Sequence, residues 1–166
     1  MLDARVRFAK AQAELVSALL GKASVPAGFD ASRLHAAGVA LATKRMREAA
    51  QAWPDLSRDL GERFTELFAA YAAVTPYPSC GGPLADGRSF IRYLQARMEL
   101  PPAARLEAMR VDLFFVRQRD GLVPRHGPVL RAALLSHPRR LILAWRLPWL
   151  GAHWLCIPLN KSGYPI

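Results

Sequence analysis

Along residues 3 to 20, Val6, Ala9, Ala13, Val16 and Leu20 recur at spacings of three and four, with Arg5, Arg7, Lys10 and Glu14 mostly elsewhere. That period predicts an amphipathic helix stopped by Gly21. The turn-rich run Val25-Pro26-Ala27-Gly28-Phe29 follows, and Asp30 is placed to cap a second helix from about Ala31 to Trp53. Its apolar stripe is Leu34, Gly38, Leu41 and Met46, and Lys44, Arg45 and Arg47 form a basic band near its C-terminal end, where the helix dipole favours cations. Pro54 ends this helix and Asp55 is expected to cap the next, which carries Leu56, Leu60, Phe64, Leu67, Phe68 and Tyr71 on one broad face as far as Val74. The Pro- and Gly-dense stretch Thr75 to Pro83 reads as a loop. A fourth helix is expected from Asp86 through Met98, with Phe90, Ile91 and Leu94 inward, and a fifth after Pro101-Pro102, with Leu106, Met109 and Leu113 inward.

After about Val116 the pattern changes period. Short apolar segments, Leu122 to Pro124, Val129 to Leu135, Arg140 to Leu147 and His153 to Leu159, are separated by Asp120-Gly121, His126-Gly127-Pro128, His137-Pro138 and Pro148-Trp149-Leu150-Gly151. Leu141, Leu143, Trp145 and Leu147 alternate with Ile142, Ala144 and Arg146, the signature of a strand buried mostly on one face. The expected architecture is α+β: a helical N-terminal two-thirds, residues 1–116, followed by a small C-terminal antiparallel sheet, residues 117–166, with a winged-helix-like arrangement in view. There is no internal repeat and no low-complexity tract.

The chain has 166 residues, of which 52% are hydrophobic and 22% charged, so it can bury a core and is not a disordered polymer. Its longest uncharged apolar run, Leu67 to Val74, falls far short of the roughly 20 residues of a bilayer-spanning helix. Asp3 and Glu14 interrupt the first twenty residues, which argues against a secretory signal. Two cysteines, Cys80 and Cys156, form neither a disulfide framework nor a metal spacing, so a reducing, cytoplasmic setting is expected. The Asn160-Lys161-Ser162 triplet then never meets a glycosylation enzyme. Cys80 in its loop is expected to be the exposed thiol, and Cys156, between Leu155 and Ile157, a core residue. His35, His126, His137 and His153 are scattered, no phosphate-binding glycine loop is present, and no nucleophile signature occurs. Catalysis by this chain alone is not expected, and neither is a cofactor within it.

Charge is the feature that points outward. The formal net charge is +10, and the excess sits in the second half, where Arg117, Arg119, Arg125, Arg131, Arg139, Arg140 and Arg146 face only Asp120 between positions 117 and 146. Guanidinium forks suit carboxylate or phosphate partners, so an acidic partner is implied; a solvated basic face without a dedicated ligand is the plain alternative. Trp145, Trp149 and Trp154 fall in the same region. Aromatic rings among arginines can anchor a peptide or single-stranded nucleic acid, although Trp145 and Trp154 are read first as completing the sheet core, leaving Trp149 at its turn as the exposed contact. The candidate peptide-binding set is Arg117, Arg119, Arg125, Arg139, Arg140, Arg146 and Trp149.

Several runs carry a likeness beyond these patterns: Val25-Pro26-Ala27-Gly28-Phe29-Asp30, Lys44-Arg45 followed by Ala52-Trp53-Pro54-Asp55-Leu56, Leu60-Gly61-Glu62-Arg63-Phe64, Phe68-Ala69-Ala70-Tyr71-Ala72, Asp86-Gly87 before Phe90, and Val123-Pro124-Arg125. Together they resemble the small partner proteins of multinuclear non-haem iron-dependent oxidative enzymes, which also occur as a C-terminal domain fused to the iron-binding barrel. The resemblance spans roughly residues 10 to 160. It implies a non-catalytic subunit in a heterodimer with a TIM-barrel iron enzyme, the iron lying on that partner, and recruitment of a ribosomal precursor or carrier peptide for cysteine modification. Within that family the narrower expectation is the partner in 3-thiaglutamate biosynthesis, in which the β-carbon of a C-terminal cysteine is excised.

The residue-level reading fits such a role through an open sheet edge that can accept an extended peptide as an added strand, with the arginine surplus facing an acidic leader and the helical part facing the enzyme. Two other classes remain open on the same residues. A winged-helix nucleic-acid binder would place Arg139, Arg140 and Arg146 on phosphates, and a structural chaperone would stabilise the barrel without touching substrate. No membrane partner is expected.

Overall fold

A computed structural model describes residues 2–19, 23–119, 121–136 and 139–159. Leu20 and the Gly21 stop signal lie outside the described residues, as do Asp120, the His137-Pro138 turn and the Asn160-Lys161-Ser162 triplet. The architecture is α+β, with six helices followed by five strands among the described residues. Two compact units divide the chain, Met1–Arg47 and Glu48–Ile166. The change from helix to strand near Val116 therefore falls within the second unit.

The first unit holds α1 (Leu2–Leu19) and most of α2 (Ala31–Ala52). Asp30 caps α2 as its position implies, its Oδ1 accepting the Ser32 and Arg33 amides at 2.8 and 3.1 Å and so satisfying two of the otherwise orphaned first-turn donors. Leu34 is buried, whereas the α1 stripe at Val6, Ala9, Ala13 and Val16 is exposed rather than packed. Helical period alone places apolar residues on one face; it does not supply the element that covers them.

In the second unit, the helix expected to run unbroken from Asp55 to Val74 is two, α3 (Pro54–Leu60) and α4 (Arg63–Val74), because Gly61 takes the left-handed φ of +53° between them. Asp55 does not cap α3. Its amide and that of Leu56 donate instead to Glu107 Oε1 and Oε2, at 3.1 and 2.8 Å, a carboxylate delivered from α6 (Pro102–Phe114) across the core. Asp55 pairs with Arg58 and Arg110 at the surface. The fourth helix of the sequence reading is α5 (Gly82–Ala96), which begins one turn earlier than Asp86. Asp86 is wholly buried and accepts the Tyr71 hydroxyl at 2.7 Å.

Phe64, Phe68, Tyr71 and Phe90 form an aromatic core with centroid separations of 5.1 to 5.7 Å, mostly edge-on, the arrangement that ring quadrupoles favour. Trp53 wedges the α2–α3 junction: it is fully buried, and its Nε1 donates to the Leu84 carbonyl at 3.1 Å. The ring lies so close to α5 that a Cβ on Gly87 would stand 2.0 Å from Trp53 Cδ1, so glycine is what lets the indole seat there.

The strands form two antiparallel sheets. β1 (Phe115–Gln118) and β2 (Gly121–Pro124) make a hairpin; β3 (Val129–Ser136), β4 (Arg139–Leu147) and β5 (Gly151–Pro158) make a meander in that order. The loop before α5 is stitched to β2, where Gly121 allows the Cys80 carbonyl to approach to 2.0 Å from where its Cβ would be. Helix α6 covers one face of the meander: Met109 and Leu113 pack with Ile142 and Ala144, flanked by Val129, Ala133, Leu135 and Ala152. Each large apolar side chain buried there contributes about 1.5–3 kcal/mol by leaving water. The facing of β4 is thus the reverse of the simplest reading of its alternation. The smaller set, Ile142 and Ala144, is buried, while Leu141, Leu143, Trp145 and Leu147 occupy the opposite face and are only half-buried.

Candidate functional site

Five arginines converge beside the β1–β2 hairpin. Arg88 and Arg92, one turn apart on α5, line a groove of about 360 Å³ with Arg117 of β1, Arg125 of the β2–β3 connection and Arg131 of β3. The groove's carboxylate is Asp112 of α6, held by Arg88 in a two-point fork, Nε to Oδ1 and Nη2 to Oδ2 at 2.8 Å each. The Arg88 side chain is only 16% exposed, and its remaining nitrogen, Nη1, is buried without a hydrogen-bond partner; so is Nε of Arg125. A second cavity of about 230 Å³ adjoins it through Arg88 and Arg117, lined also by Arg119, Tyr77 and Ser79.

The other arginines of the candidate set lie elsewhere. Arg146 donates Nη1 to the Arg125 carbonyl at 2.9 Å and stacks on Phe114 at 5.3 Å, so it braces the groove wall. Arg139 and Arg140 are exposed at the opposite end of β4, where Arg140 sits between Leu135 and Pro158. Six residues of extended chain put Arg140 about 20 Å from Arg146. The set read from sequence as one patch is therefore two: Arg117, Arg119, Arg125 and Arg146 around the hairpin, and Arg139 with Arg140 at the far end of the meander.

Trp149 is 88% exposed in the β4–β5 turn. Trp145 is half-buried on the open sheet face, stacked with His153 at 5.7 Å, and Trp154 is exposed beneath the Arg110 guanidinium at 5.9 Å rather than enclosed in the core. The thiols are also exchanged relative to expectation: Cys156 is exposed, because β5 lies at the sheet margin, and Cys80 is half-buried where its loop meets β2.

That margin is a second feature of chemical interest. The Leu159 amide donates to the Arg139 carbonyl at 2.9 Å, which fixes the direction in which alternate amides of β5 point. With the register to β4 continuous from Gly151 to Pro158, the amides of Ala152, Trp154 and Cys156 face away from β4. Among the described residues no strand lies beyond β5, and between Gly151 and Pro158 it carries no Lys, Arg, Asp or Glu to discourage pairing. The open face beside it is apolar, with Leu130, Leu134, Leu155 and Ile157 all exposed.

Sequence reasoning singled out neither Arg88 nor Arg92. Their i, i+4 spacing on α5 was the available signal, but only the tertiary fold brings them to Arg117 and Arg125. Among the described residues no group of three or more His, Cys, Asp or Glu could hold a metal ion, and no helix is long and apolar enough to cross a membrane.

Comparison with known proteins adds a family. A UPF0276 protein of Streptomyces avermitilis is 38% identical over 147 residues, a match covering 86% of this chain and 28% of that protein. The chain thus spans little more than a quarter of the length of this curated relative. No solved structure matches. The family model for the SCO6045-like, C-terminal domain matches residues 9–96, more than half of the chain, from within α1 to the end of α5. The chain belongs to the SCO6045-like, C-terminal domain family.

Proposed function

We propose that this chain is a non-catalytic accessory module that docks a TIM-barrel multinuclear iron oxidative enzyme and presents a ribosomal precursor or carrier peptide to it for cysteine modification. Within that class, the narrower assignment is the carrier-peptide partner in 3-thiaglutamate biosynthesis. The observation that carries the reading is the unguarded edge of β5. Its outward amides at Ala152, Trp154 and Cys156 offer a row of backbone donors and acceptors to an extended guest. Strand addition draws affinity from main-chain hydrogen bonds and selectivity from alternate side chains, which here would meet the apolar open face on one side and the Arg110–Trp154 pair on the other. The arginines gathered beside the β1–β2 hairpin suit an acidic leader.

The docking half of the proposal draws support from two further observations. In the Streptomyces relative the matching region shares one polypeptide with a remainder more than twice its length, and the family is described as a C-terminal domain, which suits a module that works beside a larger neighbour. The exposed apolar stripe of α1, with Val6 at 62% and Val16 at 53%, is a surface that such a neighbour would cover. A stable heterodimer needs more than about 1,000 Å² of buried area, for which a helical face is well suited. Iron belongs to the partner in this reading, and this chain supplies binding and orientation alone.

The test is co-expression with a barrel-type iron enzyme and its short precursor peptide, then co-purification and calorimetry of the peptide against the module, the enzyme and their complex. Co-elution, with micromolar peptide binding only when this chain is present, is the expected result. Peptide affinity that is the same with and without the module would reduce it to a stabiliser of the barrel, and salt-sensitive retention of duplex DNA by the module alone would replace the proposal with nucleic-acid binding.

A further inference from the structure

The groove between α5, α6 and the β1–β2 hairpin is a separate feature from the β5 edge. Five guanidinium groups, from Arg88, Arg92, Arg117, Arg125 and Arg131, line about 360 Å³ whose carboxylate is Asp112. Among the described residues that carboxylate is engaged by Arg88 alone of the five, and none of the other four has an ion-pair partner. Like charges gathered around one concavity repel one another unless an anion enters, and they focus a positive potential that draws one in. Two of the five, Arg88 and Arg125, also hold a buried N–H that nothing accepts, an arrangement proteins rarely keep at a surface with no ligand.

The geometry points to a site for the carboxylates of an acidic peptide segment. We propose that Arg92, Arg117, Arg125 and Arg131 repeat, for carboxylates supplied from outside, the planar two-point grip that Arg88 already makes on Asp112. The choice of carboxylate follows from the donors. All are guanidinium forks, which match a planar carboxylate in pairs of parallel hydrogen bonds, and the one anion in the groove is a carboxylate held in that way. At about 360 Å³ the groove lies at the small end of ligand pockets, suited to a pair of acidic side chains rather than to a folded partner. The peptide as source of those carboxylates rests on the accessory-module reading above; the anion site itself does not.

The experiment is an NMR titration of the full chain with three probes: a triglutamate peptide, a triserine peptide and inorganic phosphate. Triglutamate is expected to shift the amides around Arg92 and Arg117, triserine to shift none, and phosphate to bind at least tenfold more weakly than triglutamate. Arg92→Gln with Arg131→Gln is expected to weaken triglutamate binding at least tenfold, and Arg139→Gln with Arg140→Gln to leave it within twofold. Should the first pair prove unfolded by circular dichroism, Arg117→Gln on the exposed hairpin serves in its place, with an expected loss of several-fold. Equal losses from both pairs would reduce the site to diffuse surface charge, and phosphate binding as tightly as triglutamate would overturn the carboxylate assignment. Absence of any triglutamate binding overturns the site outright. Failure of the accessory-module reading is distinguishable from all of these, because it appears as loss of enzyme co-purification while the titration is unaffected.

Discussion

At the scale of single residues, the fold depends on polar groups that serve distant elements. Glu107 is the clearest case: from α6 it accepts the first free amides of α3, where a local cap was expected at Asp55. Burial pushes its carboxyl above the ordinary glutamate range, only partly countered by the two amides that favour the ionised form. The folded chain therefore holds the Glu107 proton more tightly than the unfolded chain does. The stability linked to that proton is complete below the unfolded-state value, near 4.5, and is lost as pH rises through the folded-state value. Glu107→Gln carries no such titration and surrenders one amide acceptor, a cost of about 1 kcal/mol. That cost is expected to be largest near pH 4 and to shrink toward pH 7, as read by denaturant midpoints of both proteins. A cost that grows with pH would mean the two amide bonds outweigh burial.

At the scale of elements, the β5 edge makes a prediction that depends only on which way its amides point. Cys156→Pro removes an outward amide and leaves every β4–β5 hydrogen bond in place, so the fold is expected to survive while capture of an extended peptide falls at least tenfold in calorimetry. Leu155→Pro removes an inward amide and is expected to cost about 3 kcal/mol or more, visible as a collapse of the melting temperature. Retained peptide binding by a folded Cys156→Pro protein would take strand addition off β5. Element identity was largely legible in the sequence, because period, proline and glycine are local signals: the cap at Asp30, the wedge at Trp53 and the turn around Trp149 all fall where their residues imply. What resisted reading was facing and adjacency. Leu141, Leu143, Trp145 and Leu147 look like a core face, yet α6 covers Ile142 and Ala144, since which face a helix covers depends on the partner and not on the strand. The arginine groove was illegible for the same reason, its members lying on α5, β1, the β2–β3 connection and β3 and meeting only in three dimensions.

At the scale of the whole molecule, α1 and the open sheet face are two of the places where large apolar side chains stand exposed. Val6→Ser with Val16→Ser touches no buried position, so melting is expected to shift by no more than a degree or two while co-purification with a barrel-type enzyme is lost if the α1 stripe is the docked surface. Undiminished co-purification would move the docking surface to the open sheet face. The β5 edge has one more consequence. Amides that welcome any extended backbone do not distinguish a guest peptide from a second copy of the same strand, and two β5 edges brought together antiparallel would continue each three-stranded meander into one of six. A copy of this chain is therefore expected to compete with any extended guest for the same three amides, and because the contact joins like to like it closes at two copies, so self-pairing would be read as a concentration-dependent dimer that an added guest strand dissolves.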